Sequence, residues 1–118
     1  MTRQRNDEHS TEYGLWLRSQ DDLDSSIGYV ATNIDYIWKN YKTGQWMLLE
    51  EKRYMSKPTF AQSNLFKFLD ALVRDDNKYY GFHIITFEKT NPEDGKIYLD
   101  GNEITKEQHK RFLKFEEV

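Results

Sequence analysis

A chain of 118 residues with a net charge of −3 fits one domain and argues against a general polyanion binder, because non-specific nucleic-acid affinity depends on Lys and Arg. The absence of cysteine excludes disulfides, thiolate nucleophiles and cysteine-ligated zinc. No apolar run reaches the roughly 18 residues of a membrane span, and the polar residues 1–9 are not a signal peptide, so we expect a cytoplasmic protein with no membrane partner. The aromatic content of 15% suits core packing or base stacking.

The N-terminal region is predicted to contain a flexible tail and one short helix. Residues 1–9 are polar and lack periodicity, so the folded domain is predicted to span residues 10–118. A helix is expected over residues 11–19, where Tyr13 and Trp16 recur at helical spacing.

Three strands are predicted next in the chain. The first covers residues 28–32, and the second and third cover residues 33–41 and 45–54. Lys42-Thr43-Gly44 has the composition of a hairpin turn, so the second and third strands are expected to pair antiparallel.

The second half of the chain predicts two helices with strands between them. Thr59 and Gln62 have the spacing of a capping box that opens a helix ending near residues 75–77. A strand over residues 79–89 and a small hairpin or strand near residues 96–99 follow. Thr105 to Gln108 form a second capping box before a basic C-terminal helix. The expected fold class is therefore α/β or α+β.

The third predicted strand carries the candidate chemistry. Strand alternation places Glu50 and Lys52 on one face and turns Glu51 to the other. A turn centred near Thr43 places Asp35 opposite about Glu51, close enough to share a site with Glu50. Two neighbouring carboxylates repel each other unless a cation lies between them, and Mg²⁺ is commonly held by one or two carboxylates and waters. The alternative is a surface ion-pair set, but the apolar run before Glu50 favours a covered position.

At these residues the sequence resembles the PD-(D/E)XK nuclease superfamily, whose motif is an Asp near one strand followed by (D/E)-x-K on the next. Here the motif is Asn33-Ile34-Asp35 and Glu50-Glu51-Lys52, with Ile34 where the superfamily's name has Pro. The resemblance implies a mixed central sheet flanked by helices, in the order helix, three strands, helix, strand, plus the C-terminal strand and helix. It also implies a DNA endonuclease that uses Mg²⁺, or Mn²⁺, with Asp35, Glu50 and Lys52 as catalytic residues.

The resemblance adds two accessory residues and one backbone contact. Glu12 corresponds to a further metal ligand on the first helix, and Gln62 to a catalytic residue on the helix after the Lys strand. The resemblance also implies that the backbone carbonyl of Glu51 contacts the metal. Glu12 also suits a first helical turn through the helix dipole, and Gln62 suits the capping box, so structural roles stay open for both.

The C-terminal helix is basic, and its cations are candidate contacts to the DNA backbone: Lys106, Lys110, Arg111 and Lys114. The alternative is a solvated face opposite packed Phe residues.

In size the chain resembles Holliday junction resolvases. A small acidic domain has little surface for binding a long duplex, so we expect a homodimer that acts on branched DNA. A non-catalytic nucleic-acid-binding module, a subunit of a larger assembly and a structural interaction domain are the alternatives. His9, His83 and His109 lack ligand or triad spacing and are expected to be non-catalytic.

Overall fold

The computed structural model describes residues 12–29 and 31–118, and the chain divides into two compact units, Met1–Ala31 and Thr32–Val118. The first unit contains helix α1 (Glu12–Arg18) and two 3-10 turns, Asp21–Leu23 and Ser25–Ile27. The helix expected in this region is therefore confirmed. The tail over residues 1–9 lies outside the described residues, and the single domain over residues 10–118 stays a prediction.

The strand predicted over residues 28–32 is wrong for the residues described there. Gly28, Tyr29, Ala31 and Thr32 are not in a strand, and Val30 lies outside the described residues. Gly28 has a φ of +114°, which a β-strand does not adopt. Strand propensity depends on pairing and burial, so a β-rich run such as this one is not sufficient to make a strand.

The second unit contains a five-stranded mixed sheet with the strand order β1-β2-β3-β4-β5. The β2–β3 pair is parallel and the other three pairs are antiparallel. The strands are β1 (Tyr36–Lys39), β2 (Trp46–Lys52), β3 (Tyr79–Phe87), β4 (Ile97–Leu99) and β5 (Asn102–Ile104). The α+β class and the mixed sheet are thereby confirmed.

Two helices of this unit begin where the sequence predicts. Helix α2 (Phe60–Val73) connects the parallel strands β2 and β3, and α3 (Lys106–Leu113) follows β5. Thr59 and Thr105 each accept a hydrogen bond from the backbone N–H of a Gln three residues later, and that Gln side chain accepts one in return from the backbone N–H of the Thr. Both capping boxes are therefore formed, and each satisfies two amides at a helix start.

The centre of β2 is covered on both faces of the sheet. Met47, Leu48, Leu49 and Glu50 are all buried. On one face, Phe66 of α2 packs on a ring of β3, with the two centroids 4.5 Å apart. On the other face, the core cluster joins the sheet to α3 through these buried residues: Met47, Leu49, Ile85, Phe87, Ile97 and Phe112. The double coverage inferred from the apolar run is confirmed, and it explains how a charged side chain of β2 becomes buried.

The pairing of β2 with β3 contains one irregularity, between Trp46 and Leu48. Opposite this point lies Gly81, whose φ of +105° is accessible mainly to glycine. Because the irregularity precedes Glu50, the alternation of Glu50, Glu51 and Lys52 is unbroken. Across the described residues, no helix is long and apolar enough to cross a membrane.

Candidate active site

The β1–β2 hairpin sets which residue lies opposite Asp35. The paired residues Tyr36 and Leu49 place Asp35, immediately before β1, opposite Glu50 and not Glu51. The predicted register was therefore wrong by one residue. The backbone N–H of Asn40 donates to the carbonyl of Gln45 at 2.9 Å, so the loop is centred between positions 42 and 43. The predicted second strand also begins later than expected, at Tyr36.

Asp35 makes two hydrogen bonds to β2, one donated and one accepted. Its backbone N–H donates to Oε1 of Glu50 at 3.2 Å, and its carboxylate accepts from the backbone N–H of Glu51 at 2.9 Å. These bonds hold the two acidic residues next to each other at the sheet edge. The arrangement brings Asp35 and Glu50 together as the sequence predicts.

Glu50 is a buried carboxyl, with only 4% of the residue exposed. Burial, followed by the nearby negative charge of Asp35, raises the pKa of Glu50, while the hydrogen bond from Asp35 and the positive charge of Lys52 act in the opposite direction. The Nζ atom of Lys52 lies 3.5 Å from Oε2 of Glu50. An additional cation next to this carboxyl would stabilise its ionised form.

Gln62 contacts both the helix start and the candidate site. Its Oε1 atom accepts from the backbone N–H of Thr59 at 3.1 Å and from Nζ of Lys52 at 3.4 Å. The same side chain therefore serves the capping box, which was its structural alternative, and contacts the predicted catalytic Lys52. The Lys52 ammonium thus contacts both Gln62 and Glu50.

Glu51 turns its side chain to the other face of the sheet, as alternation predicts. Its carboxylate pairs with Nε of Arg53 at 2.9 Å and accepts a hydrogen bond from the hydroxyl of Tyr36 at 3.3 Å. The charge of Glu51 is the main cause that raises the pKa of Tyr36. These residues border an open cavity of about 550 Å³ that does not include Glu50 or Lys52.

The oxygen atoms around Glu50 are of the type that Mg²⁺ binds. The Glu50 carboxylate accepts from the backbone N–H of Asp35 and is close enough to the Asp35 carboxylate for that charge to raise its pKa. The backbone of Glu51 follows on the same strand. Among the residues that the structure describes, no group of three or more His, Asp or Glu side chains is arranged to hold a metal ion. A pair of carboxylates fits Mg²⁺, which keeps several waters, better than it fits ions that need a full protein cage.

The remaining predicted site residues are on helices α1 and α3. Glu12 is in the first turn of α1 in the other unit, so its ligand role stays a prediction. Lys106 pairs with Glu93 at 2.9 Å, and Arg111 lies 3.8 Å from Glu116. The backbone contacts predicted for Lys106, Lys110, Arg111 and Lys114 also stay predictions.

One polar pair was missed by sequence reasoning. His83 lies 2.7 Å from Oδ2 of Asp100 through Nδ1 and 2.8 Å from the carbonyl of Tyr80 through Nε2. Both partners are acceptors, so only the imidazolium form satisfies both contacts. Nothing in the spacing of residues 83 and 100 indicates this pair, since the β4–β5 turn brings them together.

A second group of residues that the sequence predictions missed has a recognisable sequence pattern. Aromatic and basic residues alternate in Trp38-Lys39-Asn40-Tyr41-Lys42 at the end of β1. Such interleaving is typical of surfaces that bind nucleic-acid strands.

We found no family model, no curated protein and no solved structure that matches this chain.

Proposed function

We propose that this protein is a Mg²⁺-dependent endonuclease that hydrolyses phosphodiester bonds of DNA, on a PD-(D/E)XK type of fold. The observation that carries the proposal is the buried Glu50 carboxyl, held next to Asp35 on one side and Lys52 on the other. Ordinary surface ion pairs are solvent-exposed, whereas only 4% of Glu50 is exposed. Burial of an acid beside a second acid is expected where a cation is to be bound.

The residues have distinct roles in this proposal. Asp35 and Glu50 hold the metal ion, with the Glu51 carbonyl as a further oxygen ligand. When bound there, Mg²⁺ or Mn²⁺ supplies Lewis acidity and lowers the pKa of a bound water. The Lys52 ammonium stabilises negative charge that develops on the phosphate oxygens in the transition state.

Gln62 is a positioning residue in the proposal. Its carbonyl oxygen is 3.4 Å from Nζ of Lys52, and its backbone is fixed by the capping box of α2. A helix start is a rigid support, so the ammonium is oriented before substrate binds. Such preorganisation lowers the reorganisation needed in the transition state.

A non-catalytic nucleic-acid-binding module is the second candidate, favoured by one observation. The Lys52 ammonium lies 3.5 Å from Glu50, so this carboxyl has a cationic partner without any metal. In that case the charged set would stabilise the sheet edge and no bond would be cleaved.

Cleavage assays on single-stranded, duplex and four-way-junction DNA distinguish these functions. We expect Mg²⁺ or Mn²⁺ to support cleavage and EDTA to abolish it. Absence of cleavage on all three DNAs with either metal would reject the nuclease and favour the binding module.

The proposal also includes a homodimer that prefers branched DNA. A twofold dimer presents two active sites related by symmetry, which suits a substrate with two strands to cut. Sedimentation at micromolar concentration measures the state. A monomer with equal rates on duplex and junction DNA would leave only a general nuclease.

A further inference from the structure

A second concave surface lies between the β1–β2 turn and the C-terminal end of α3. Its volume is about 370 Å³, and Asn40 and Leu113 form part of its wall. Three aromatic rings and three lysines line the rest: Trp38, Tyr41, Phe115, Lys39, Lys42 and Lys114. We refer to this surface as the basic aromatic groove.

Two of the rings are fixed in orientation. The indole N–H of Trp38 donates to the backbone carbonyl of Leu113 at 2.7 Å, although 42% of Trp38 remains exposed. Phe115 packs edge-on against Tyr80, with centroids 5.1 Å apart. The bond from Trp38 also satisfies a carbonyl at the helix end, so the groove wall is part of the fold and forms without a ligand.

The turn that carries the third ring is also well defined. The Asn40 side chain accepts hydrogen bonds from the backbone N–H groups of Lys42, at 2.9 Å, and Thr43, at 3.3 Å. The backbone N–H of Gly44 donates to the Asn40 carbonyl at 2.8 Å. Tyr41 is thus held on a rigid turn while 84% of it is exposed. A ring with that exposure contributes little to the core and is available to stack.

The charge of the groove is positive and locally uncompensated. Considering residues 12–29 and 31–118, no ion pair involves Lys39, Lys42 or Lys114. By contrast, Lys52 and Lys106 each have a carboxylate partner. In a chain with a net charge of −3, three unpaired ammonium groups around one groove form a local site for anions.

We propose that the basic aromatic groove binds a single-stranded DNA segment, whose bases stack on Trp38 and Tyr41 and whose phosphates contact the three lysines. Single-strand-binding surfaces combine a cationic groove with exposed aromatic faces in this way. A duplex hides the faces of its bases in its own stack, so exposed rings favour an unpaired strand.

The inference names the form of DNA that the proposed nuclease holds, and in that respect it rests on the proposed function. Lys39 follows Asp35 by four positions along β1 (39 − 35), or about 13 Å at the rise of a strand. Trp38 lines the cavity that Glu51 borders, on the face opposite Glu50, so a strand held in the groove reaches Glu50 by passing around the exposed β1 edge.

The first test separates these lysines from general charge. Fluorescence anisotropy with labelled oligothymidylate in EDTA is measured over a series of salt concentrations. Changing Lys39, Lys42 and Lys114 to Gln together should reduce the slope of log affinity against log salt by about 2, since each phosphate contact in a single strand contributes about 0.7. The control carries the same charge change at exposed lysines elsewhere: Lys67→Gln, Lys89→Gln and Lys96→Gln. Equal slopes for the two triple variants would overturn the groove.

The second test addresses stacking. Tyr41→Ala should weaken oligothymidylate binding about tenfold, while Phe68→Ala, which removes another ring with 61% exposure, should leave it unchanged. Because Tyr41 is 84% exposed, its loss should not lower thermal stability. Equal affinity for oligothymidylate and a hairpin duplex of the same length would overturn the single-strand assignment.

The outcomes separate the groove from the nuclease. If binding depends on the groove residues but the wild type does not cleave DNA, the single-strand site is supported and the nuclease is rejected. Cleavage by the wild type, with unchanged affinity in the groove variants, keeps the nuclease and rejects the groove.

Discussion

The backbone N–H of Asp35 donates a hydrogen bond to the buried Glu50 carboxylate at 3.2 Å, across the open end of the β1–β2 hairpin. This bond lies between two residues separated by fifteen positions, and it places one exposed and one buried acid side by side. The proposed catalysis depends on this juxtaposition.

Asp35→Asn and Lys52→Ala should each lower the cleavage rate by at least about 10²-fold while leaving DNA binding largely unchanged, because both residues act mainly on the transition state. The Asn side chain keeps an acceptor for the backbone N–H of Glu51, so Asp35→Asn should fold normally. Single-turnover cleavage and anisotropy provide the two measurements. Lys67→Ala is the control, and wild-type cleavage by either site variant would refute its assignment.

Comparison of Thr59→Ala with Gln62→Ala separates helix capping from positioning. Thr59→Ala removes the cap acceptor and should cost about 1 kcal/mol of stability without changing the rate of the folded enzyme. Gln62→Ala also removes the contact to Lys52 and should lower the rate about tenfold, as losses of supporting residues commonly do. Thermal melts and single-turnover rates below both melting transitions check this. Equal rates in the two variants would leave Gln62 with the capping role alone.

The raised pKa of Glu50 predicts a pH dependence of stability in the metal-free protein. Burial, then the charge of Asp35, makes ionisation harder in the folded state than in the unfolded state. The unfolded chain therefore loses this proton first, and stability falls as pH rises from about 4.5 through the folded pKa. Urea unfolding in EDTA should show this fall in the wild type and a smaller one in Glu50→Gln.

Mg²⁺ should reverse that loss at neutral pH. At a concentration about 100-fold above the dissociation constant, a bound ion stabilises the fold by about 2.7 kcal/mol. The melting temperature of the wild type should rise with Mg²⁺, and that of Glu50→Gln should rise less. Sodium at matched ionic strength is the control, and equal shifts in the two proteins would contradict metal binding at Glu50.

The His83–Asp100 pair predicts a second pH dependence. Burial lowers the pKa of His83, but hydrogen bonds to Asp100 and the Tyr80 carbonyl, with the charges of Asp100 and Asp70, outweigh it and raise the pKa overall. The pair therefore stabilises the fold fully below pH 6.5, and this contribution is lost as pH rises through the folded pKa.

Asp100→Asn should destabilise the protein by about 1 kcal/mol at pH 6 and by less at high pH, since it removes the charged partner. Asn tolerates the left-handed φ of 50° at this position, so the β4–β5 turn should persist. Urea unfolding across the pH range measures the difference. The control is His109→Gln, because burial lowers the pKa of His109 and its contribution has the opposite sign. A pH-independent cost of Asp100→Asn would contradict the ion pair.

Local patterns in the sequence were sufficient for several parts of the fold. The starts of α2 and α3 were predicted because a capping box involves residues only three positions apart. The shared face of Glu50 and Lys52 follows from strand alternation, and the burial of β2 follows from its continuous apolar run. Each of these features is set within one element.

Tertiary structure decided the features that join distant parts of the chain. The one-residue change of register at Asp35 comes from the hydrogen bonds of the turn, and composition specifies the turn only approximately. Contact between Gln62 and Lys52 requires α2 to lie over the end of β2. The basic aromatic groove exists because Trp38 bonds to Leu113, 75 positions away, and the strand expected over residues 28–32 did not form in the part described. Sequence patterns report local propensity, whereas pairing and packing across long separations depend on which surfaces meet in the folded chain.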